Sequence, residues 1–91
     1  MRKNCEDEVH FSRHVLEELE KRKIPQKLVE RVLYASEQKV PEVGDIMCYQ
    51  SRVEISGKAY LLRVMVNETM NPALVVTMYR TSKISKYWRK P

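Results

Sequence analysis

Residues 45–66, with the sequence DIMCYQSRVEISGKAYLLRVMV, decide the fold of this chain. Side chains of different character alternate with a period of two through the first half, which is typical of a β-strand with two unlike faces. Ser56-Gly57 interrupts the alternation, and small turn residues between two strand-like runs predict a hairpin. A second strand is expected from Ala59 to Val66. The stretch therefore predicts an antiparallel hairpin.

The alternation gives this hairpin two different faces. The face expected to be buried holds Met47, Tyr49, Ser51, Val53, Ile55, Tyr60, Leu62, Val64 and Val66. The other face carries Arg52 on the first strand and Arg63 on the second, beside Leu61 and Met65. Because the neighbours of both arginines along the strand belong to the buried face, their side chains are expected to point away from the core. This second face is the expected working surface.

Segments on both sides of the hairpin complete the predicted fold. A third strand is expected from Ala73 to Arg80, where apolar residues fall on both faces, as in a well-covered strand. Before the hairpin, apolar residues at helical spacing predict helices at about 13–23 and 26–36, separated at Pro25. Residues 1–9 are polar and are expected to be flexible. A short helix or tail follows the third strand.

The expected fold class is therefore α+β. Two N-terminal helices are expected to pack on one face of a three-stranded, or slightly larger, antiparallel sheet, within a single domain spanning residues 10–91. A chain of 91 residues is long enough for one core only. No apolar run approaches the roughly 18 residues that span a bilayer, and the N-terminus does not read as a secretory signal. A cytoplasmic protein without a membrane partner is expected.

Composition gives no indication of a cofactor or a metal. The chain has only two glycines and two cysteines, no Gly-rich phosphate loop and no Cys/His spacing of the zinc-site kind. The net charge of +5 is more informative, because of where it lies. Residues 1–79 hold 12 basic and 12 acidic side chains, whereas residues 80–91 hold five basic ones and no acidic one. A local basic cluster attracts polyanions, although it also fits a tail that only aids solubility.

Arginines, lysines and aromatic rings at this end of the chain favour RNA as the partner. The guanidinium of arginine can donate several hydrogen bonds to one phosphate, and aromatic rings stack on unpaired bases. Metal-independent RNA cleavage also requires a proton acceptor, a proton donor and cations that stabilise the phosphorane. The candidate catalytic residues are Arg52, Arg63, Arg80, Lys83 and Tyr87. The candidate RNA-binding residues are His14, Lys86, Trp88, Arg89 and Lys90.

A purely structural interpretation is open for several of these residues. Arg52 and Arg63 would then pair with surface carboxylates such as Glu54, a pairing that is weaker for Arg63 because its own strand has no acidic residue. Trp88 would anchor the C-terminus to the core, and His14 would pack at the edge of the sheet.

Two parts of the chain resemble a known bacterial family. His14-Val15-Leu16, Lys21-Arg22-Lys23-Ile24 and residues 29–33 resemble the N-terminal helices of the family called domain of unknown function 4258, and the more specific motif VVTMYRTSKISKY, residues 75–87, looks like its closing strand and tail. The likeness covers residues 10–88. That family is similar to the BrnT and RelE-like toxins of toxin–antitoxin pairs.

The resemblance implies a compact α+β fold, endoribonuclease activity, often on ribosome-bound mRNA, and neutralisation by a cognate antitoxin. In RelE-like toxins the working residues are Arg and Lys on the sheet with a C-terminal Tyr, roles that would fall to Arg52, Arg63, Arg80, Lys83 and Tyr87. Three hypotheses stand: an endoribonuclease toxin, a non-catalytic module that binds RNA or another polyanion, and an interaction domain whose apolar sheet surface pairs with a partner. A dimer or a toxin–antitoxin hetero-oligomer is the expected assembly.

Overall fold

The computed structural model describes residues 9–89. The elements follow one another as strand, two helices, four strands and a short helix. Their bounds are β1 Val9–Phe11, α1 Arg13–Lys21, α2 Gln26–Tyr34, β2 Gln38–Pro41, β3 Ile46–Ile55, β4 Lys58–Asn67, β5 Ala73–Thr81 and α3 Ile84–Tyr87.

The predicted hairpin is confirmed as β3 and β4, which pair antiparallel from Ile46 opposite Asn67 to Ile55 opposite Lys58. The connecting residues have positive φ values, 51° at Ser56 and 79° at Gly57. Two residues of positive φ form the turn that matches the twist of a two-residue hairpin, and glycine adopts this conformation freely. The turn therefore fixes the register along both strands.

The sheet is larger than expected, and it is not wholly antiparallel. Its five strands lie in the order β1-β5-β4-β3-β2. β2, which the sequence did not predict, extends the hairpin antiparallel to β3, and β1 pairs parallel with β5. Val9, expected to be part of a flexible N-terminus, belongs to β1, and the rest of that terminus lies outside the described residues. Both additional strands are at the sheet edges and are only 3 and 4 residues long.

The two N-terminal helices pack on one face of this sheet, as predicted. Ser12 caps α1 by accepting a hydrogen bond from the backbone N–H of Val15, and Pro25 precedes the first turn of α2. The core between the helices and the sheet is built on a cluster of apolar side chains: Val15, Leu19, Ile24, Val29, Val32, Leu62, Val64, Val66, Val75 and Met78. This side of the sheet is called the helix face below.

The opposite side of the sheet, called the second face, is also partly covered. Paired residues of neighbouring strands share a face, so the register assigns to it Gln38, Val40, Cys48, Gln50, Arg52, Leu61, Arg63, Met65, Thr77, Tyr79 and Thr81. Leu61, Cys48 and Gln50 are completely buried there. The cover is residues 83–89, the C-terminal segment, which contains α3. In the described part of the chain, no helix is long and apolar enough to cross a membrane.

Candidate functional site

Arg63 is the centre of a polar cluster on the second face, and its side chain is only 6% exposed. Its guanidinium donates hydrogen bonds to Gln50 Oε1 at 2.9 Å and to the hydroxyl of Tyr79 at 2.5 Å. It also donates to Glu42 Oε2 at 2.9 Å, which makes an ion pair. The ring of Tyr87 lies 4.5 Å from the guanidinium carbon and comes from the C-terminal segment. Arg63 is thus surrounded by partners from three elements, β3, β5 and α3, and from the loop between β2 and β3.

The charge of Arg63 is stable in this setting, although burial acts against it. Burial lowers the pKa of Arg63, but hydrogen bonds to Tyr79 and Glu42 and the attraction of nearby groups outweigh burial and raise the pKa overall. Burial also raises the pKa of Tyr79, and the neighbouring guanidinium only partly opposes this effect. The phenol of Tyr79 is therefore a proton-bearing group at neutral pH, and it is not a ready base.

Arg52 makes a second contact with the C-terminal segment at the surface. Its guanidinium donates to both carboxylate oxygens of Glu37 at 3.2 Å, and its carbon lies 4.4 Å from the centre of the Trp88 ring. The side-chain hydrogen bond from Arg52 is the main reason that the pKa of Glu37 is lowered. The guanidinium remains more than half exposed. Arg52 is consequently a bridge between a surface carboxylate and the indole.

Two glutamines anchor the C-terminal segment to the sheet. Gln50 donates to the backbone carbonyl of Tyr87 at 3.2 Å and to Gln38 Oε1 at 2.7 Å. Gln38 in turn accepts from the backbone N–H of Arg89 at 3.1 Å and donates to the Arg89 carbonyl. Because Gln50 also accepts from Arg63, one chain of hydrogen bonds runs from the buried guanidinium to residue 89.

The anchored segment turns its cations toward solvent. Lys83, Lys86 and Arg89 are exposed, and within residues 9–89 none of them lies within 4.0 Å of a carboxylate. Trp88 is half-buried beside them. The segment thus combines three cations with an aromatic ring, on a backbone that is fixed by the sheet.

The structure brings together most of the residues predicted from sequence, but not all of them. Arg52, Arg63, Lys83, Lys86, Tyr87, Trp88 and Arg89 lie on or beside the second face. Arg80 does not share this face, because it pairs with Leu62 of the helix face, and its guanidinium stacks on Tyr60 at 4.9 Å. His14 is exposed on α1, on the helix side of the sheet. Lys90 lies outside the described residues.

The structural interpretation, in which Arg52 and Arg63 pair with carboxylates, is confirmed, but the partners are Glu37 and Glu42, and Glu54 is not one of them. Sequence reasoning missed the two carboxylates, Glu37 and Glu42, and the two glutamines of the cluster. Of these, Gln50 had a usable signal, because the two-residue turn places it directly opposite Arg63. Among the described residues, no group of three or more His, Cys, Asp or Glu side chains is arranged to hold a metal ion.

Comparison of the chain with models of known protein families, with characterised proteins and with solved structures finds no match.

Proposed function

We propose that this chain is a binding module for single-stranded RNA, and that its binding surface is the C-terminal segment together with the exposed part of the second face. The observation that carries the proposal is the group of three solvent-facing cations, Lys83, Lys86 and Arg89, which no carboxylate within residues 9–89 neutralises. The other arginines of this face, Arg52 and Arg63, are already paired with Glu37 and Glu42.

Phosphates and bases would be bound by different groups of the segment. Lysine and arginine attract the RNA backbone without regard to sequence, and the gain comes largely from released counterions. The indole of Trp88 offers a surface for an unpaired base, and a stacked base is worth about 1–3 kcal/mol. Arg52, which lies over the ring, holds its plane in place. Anchoring by Gln38 and Gln50 reduces the entropy that the segment would lose on binding.

The salt dependence of affinity tests this proposal. Affinity for a short labelled single-stranded RNA should fall linearly, on logarithmic axes, as salt rises. Replacing Lys83, Lys86 and Arg89 together by alanine should lower the slope by about 2, at about 0.7 per lost phosphate contact. A matched triple variant, Arg13, Lys21 and Lys27 to alanine, removes the same charge from the two helices and should bind like the parent. Equal effects of the two triple variants would show that only net charge matters, and would reject the proposed surface.

A second candidate function is that of an endoribonuclease toxin of a toxin–antitoxin pair. The observation that favours it is the meeting of a carboxylate, a guanidinium and two phenols, from Glu42, Arg63, Tyr79 and Tyr87, on the same face. A carboxylate can accept the 2′-hydroxyl proton, a guanidinium can stabilise the phosphorane, and a phenol can protonate the leaving oxygen. Because Arg63 is buried beneath Tyr87, the segment would have to open before a phosphate reached it.

Cleavage has a direct assay. Purified protein would be incubated with RNA in the presence of a chelator, and the products would be analysed for 2′,3′-cyclic phosphate ends. The same RNA with a single 2′-deoxy substitution at the cut site is the control, since it has no nucleophile there. Cleavage of the first RNA alone, together with growth arrest on expression in a bacterium and its rescue by a cognate antitoxin, would support the toxin. If the folded protein binds the RNA but leaves it intact, the toxin hypothesis is rejected and the binding module is retained.

A further inference from the structure

A shallow apolar pocket lies on the second face, next to the Arg63 cluster. It has a volume of about 260 Å³ and is lined by Glu42, Val43, Ile46, Met65, Val76 and Thr77. Val43 is 87% exposed and Val76 is 40% exposed. Met65 and Thr77 pair across β4 and β5, two residues along from the pair of Arg63 and Tyr79, which is a displacement of about 7 Å. The C-terminal segment therefore covers one part of the face and leaves this pocket beside it.

One carboxylate borders this apolar surface. The Oε2 atom of Glu42 accepts a hydrogen bond from Arg63 at 2.9 Å, and that contact fixes the carboxylate in place. Within residues 9–89, no hydrogen bond is made to its other oxygen, Oε1, and its side chain is 32% exposed. The pocket thus combines apolar side chains with a fixed hydrogen-bond acceptor in its lining.

We propose that this pocket is a nucleobase subsite selective for guanine, formed by an apolar floor at Ile46, Met65 and Val76 and by the carboxylate of Glu42. The inference rests on the proposed binding of single-stranded RNA, and it adds a base preference to it. The pocket is large enough for one base, and it lies about one nucleotide spacing from the Arg63 cluster on the same face as the cationic segment.

The preference for guanine follows from the hydrogen-bonding edges of the four bases. A carboxylate only accepts hydrogen bonds. Guanine presents two adjacent donors on its Watson–Crick edge, N1–H and the N2 amino group. Adenine and cytosine each present one amino group beside an acceptor nitrogen, and uracil presents one N–H between two carbonyls. A carboxylate facing any of these three meets a lone pair, whereas facing guanine it meets two donors.

The test compares short RNAs that differ at one central position in an otherwise uridine-only strand. The central base is guanine, adenine, cytosine, uracil or hypoxanthine, and affinity is measured at one fixed salt concentration. We expect the guanine strand to bind about tenfold more tightly than the adenine, cytosine or uracil strands, because Oε1 of Glu42 is free within the described part of the chain and Oε2 keeps one lone pair beside its hydrogen bond from Arg63. Hypoxanthine, which lacks the N2 amino group, should fall between them.

Two variants separate the pocket from the rest of the surface. Val76→Glu places a charge in the pocket at an exposed position and should abolish the difference in affinity between the guanine strand and the other strands. Leu16→Glu, on α1 at the other side of the sheet and similarly exposed, is the matched control. Glu42→Gln should also remove the preference, with its thermal unfolding measured to confirm a folded protein.

The outcomes are distinguishable from those of the proposed function. Salt-dependent binding with equal affinity for all five strands would overturn the guanine subsite and leave the RNA-binding module intact. A guanine preference that survives in Val76→Glu would also overturn it. Absence of binding to every strand would overturn both proposals together.

Discussion

Arg63 is the residue on which the second face depends. Its buried guanidinium is stable only because Gln50, Tyr79 and Glu42 accept its hydrogen bonds. Its side chain is therefore a structural element of this face in the form that the structure shows, and any catalytic role would require a rearrangement. The sequence alone could not distinguish a structural from a catalytic role for Arg63. Its partner Glu42 lies in the loop between β2 and β3, and no sequence pattern predicts the path of that loop.

Replacing Arg63 should destabilise the fold. The variant Arg63→Met keeps much of the side-chain volume but leaves Gln50, Tyr79 and Glu42 without their donor. We expect the free energy of unfolding to fall by about 2–4 kcal/mol, measured by urea denaturation. Arg52→Met, which removes a surface pair, is the control and should change it far less. Equal losses in the two variants would show that the buried cluster contributes no more to the free energy of unfolding than the surface ion pair does.

Cys48 provides a pH-dependent test of the same buried surface. Burial raises the pKa of its thiol, and the nearby Arg63 charge only partly opposes the rise. The folded state therefore holds the proton more tightly than the unfolded chain, whose thiol titrates near about 8.5. This contribution to stability is complete below that pH and is lost as pH rises through the folded pKa.

The corresponding variant is Cys48→Ala. Above about pH 8.5, its free energy of unfolding should decline less steeply with pH than that of the parent, whatever its value at neutral pH. An unchanged slope in Cys48→Ala would mean that the thiol is not shielded as the structure places it.

At the scale of elements, the hairpin was predictable and the edge strands were not. β3 and β4 have 10 residues each, and their alternation indicates the strands. The two-residue turn between them determines the register in which they pair. The register also predicts that Gln50 lies opposite Arg63, a pairing that follows from the turn alone. β1 and β2 are short, and neither has enough residues for a periodic pattern. β1 forms only because its partner β5 is already in place, and such a parallel pairing depends on tertiary contacts.

The turn of the hairpin offers a stabilising substitution. Ser56 has a φ of 51°, a conformation that asparagine tolerates better than serine. Ser56→Asn should raise the free energy of unfolding by about 0.5 kcal/mol. Ser56→Val, with a branched side chain at positive φ, should lower it by about 1 kcal/mol or more. The midpoints of urea denaturation measure both, and a gain from valine would contradict the assigned turn.

At the scale of the whole molecule, the two sides of the sheet serve different purposes. The helix face carries an apolar core that accounts for folding, and the second face carries a polar cluster under a basic segment. The excess of basic residues in the sequence predicted the location of the segment. It did not predict that Arg80 lies on the helix face. A shift of one residue in register would move its side chain to the other face of the sheet, and the register of β5 is determined by its pairing with β4.

The α+β class, the pair of helices and the three central strands were thus accessible from periodicity. The covering of the second face was not, since it depends on a few hydrogen bonds between the side chains of Gln38 and Gln50 and the backbone of residues 87 and 89. Trp88, expected either to stack on RNA or to anchor the C-terminus, contacts Arg52 and remains partly exposed. Its position is compatible with both roles.

Titration of the Trp88 fluorescence with unlabelled single-stranded RNA tests the central claim most directly. Trp88 is the only tryptophan of the chain, so its emission reports on the C-terminal segment alone. We predict a saturable change in emission whose midpoint moves to higher RNA concentration as salt rises, and which weakens sharply in the triple variant of Lys83, Lys86 and Arg89. RNA binding, shown by an independent assay, that leaves the Trp88 emission unchanged would contradict the proposed site.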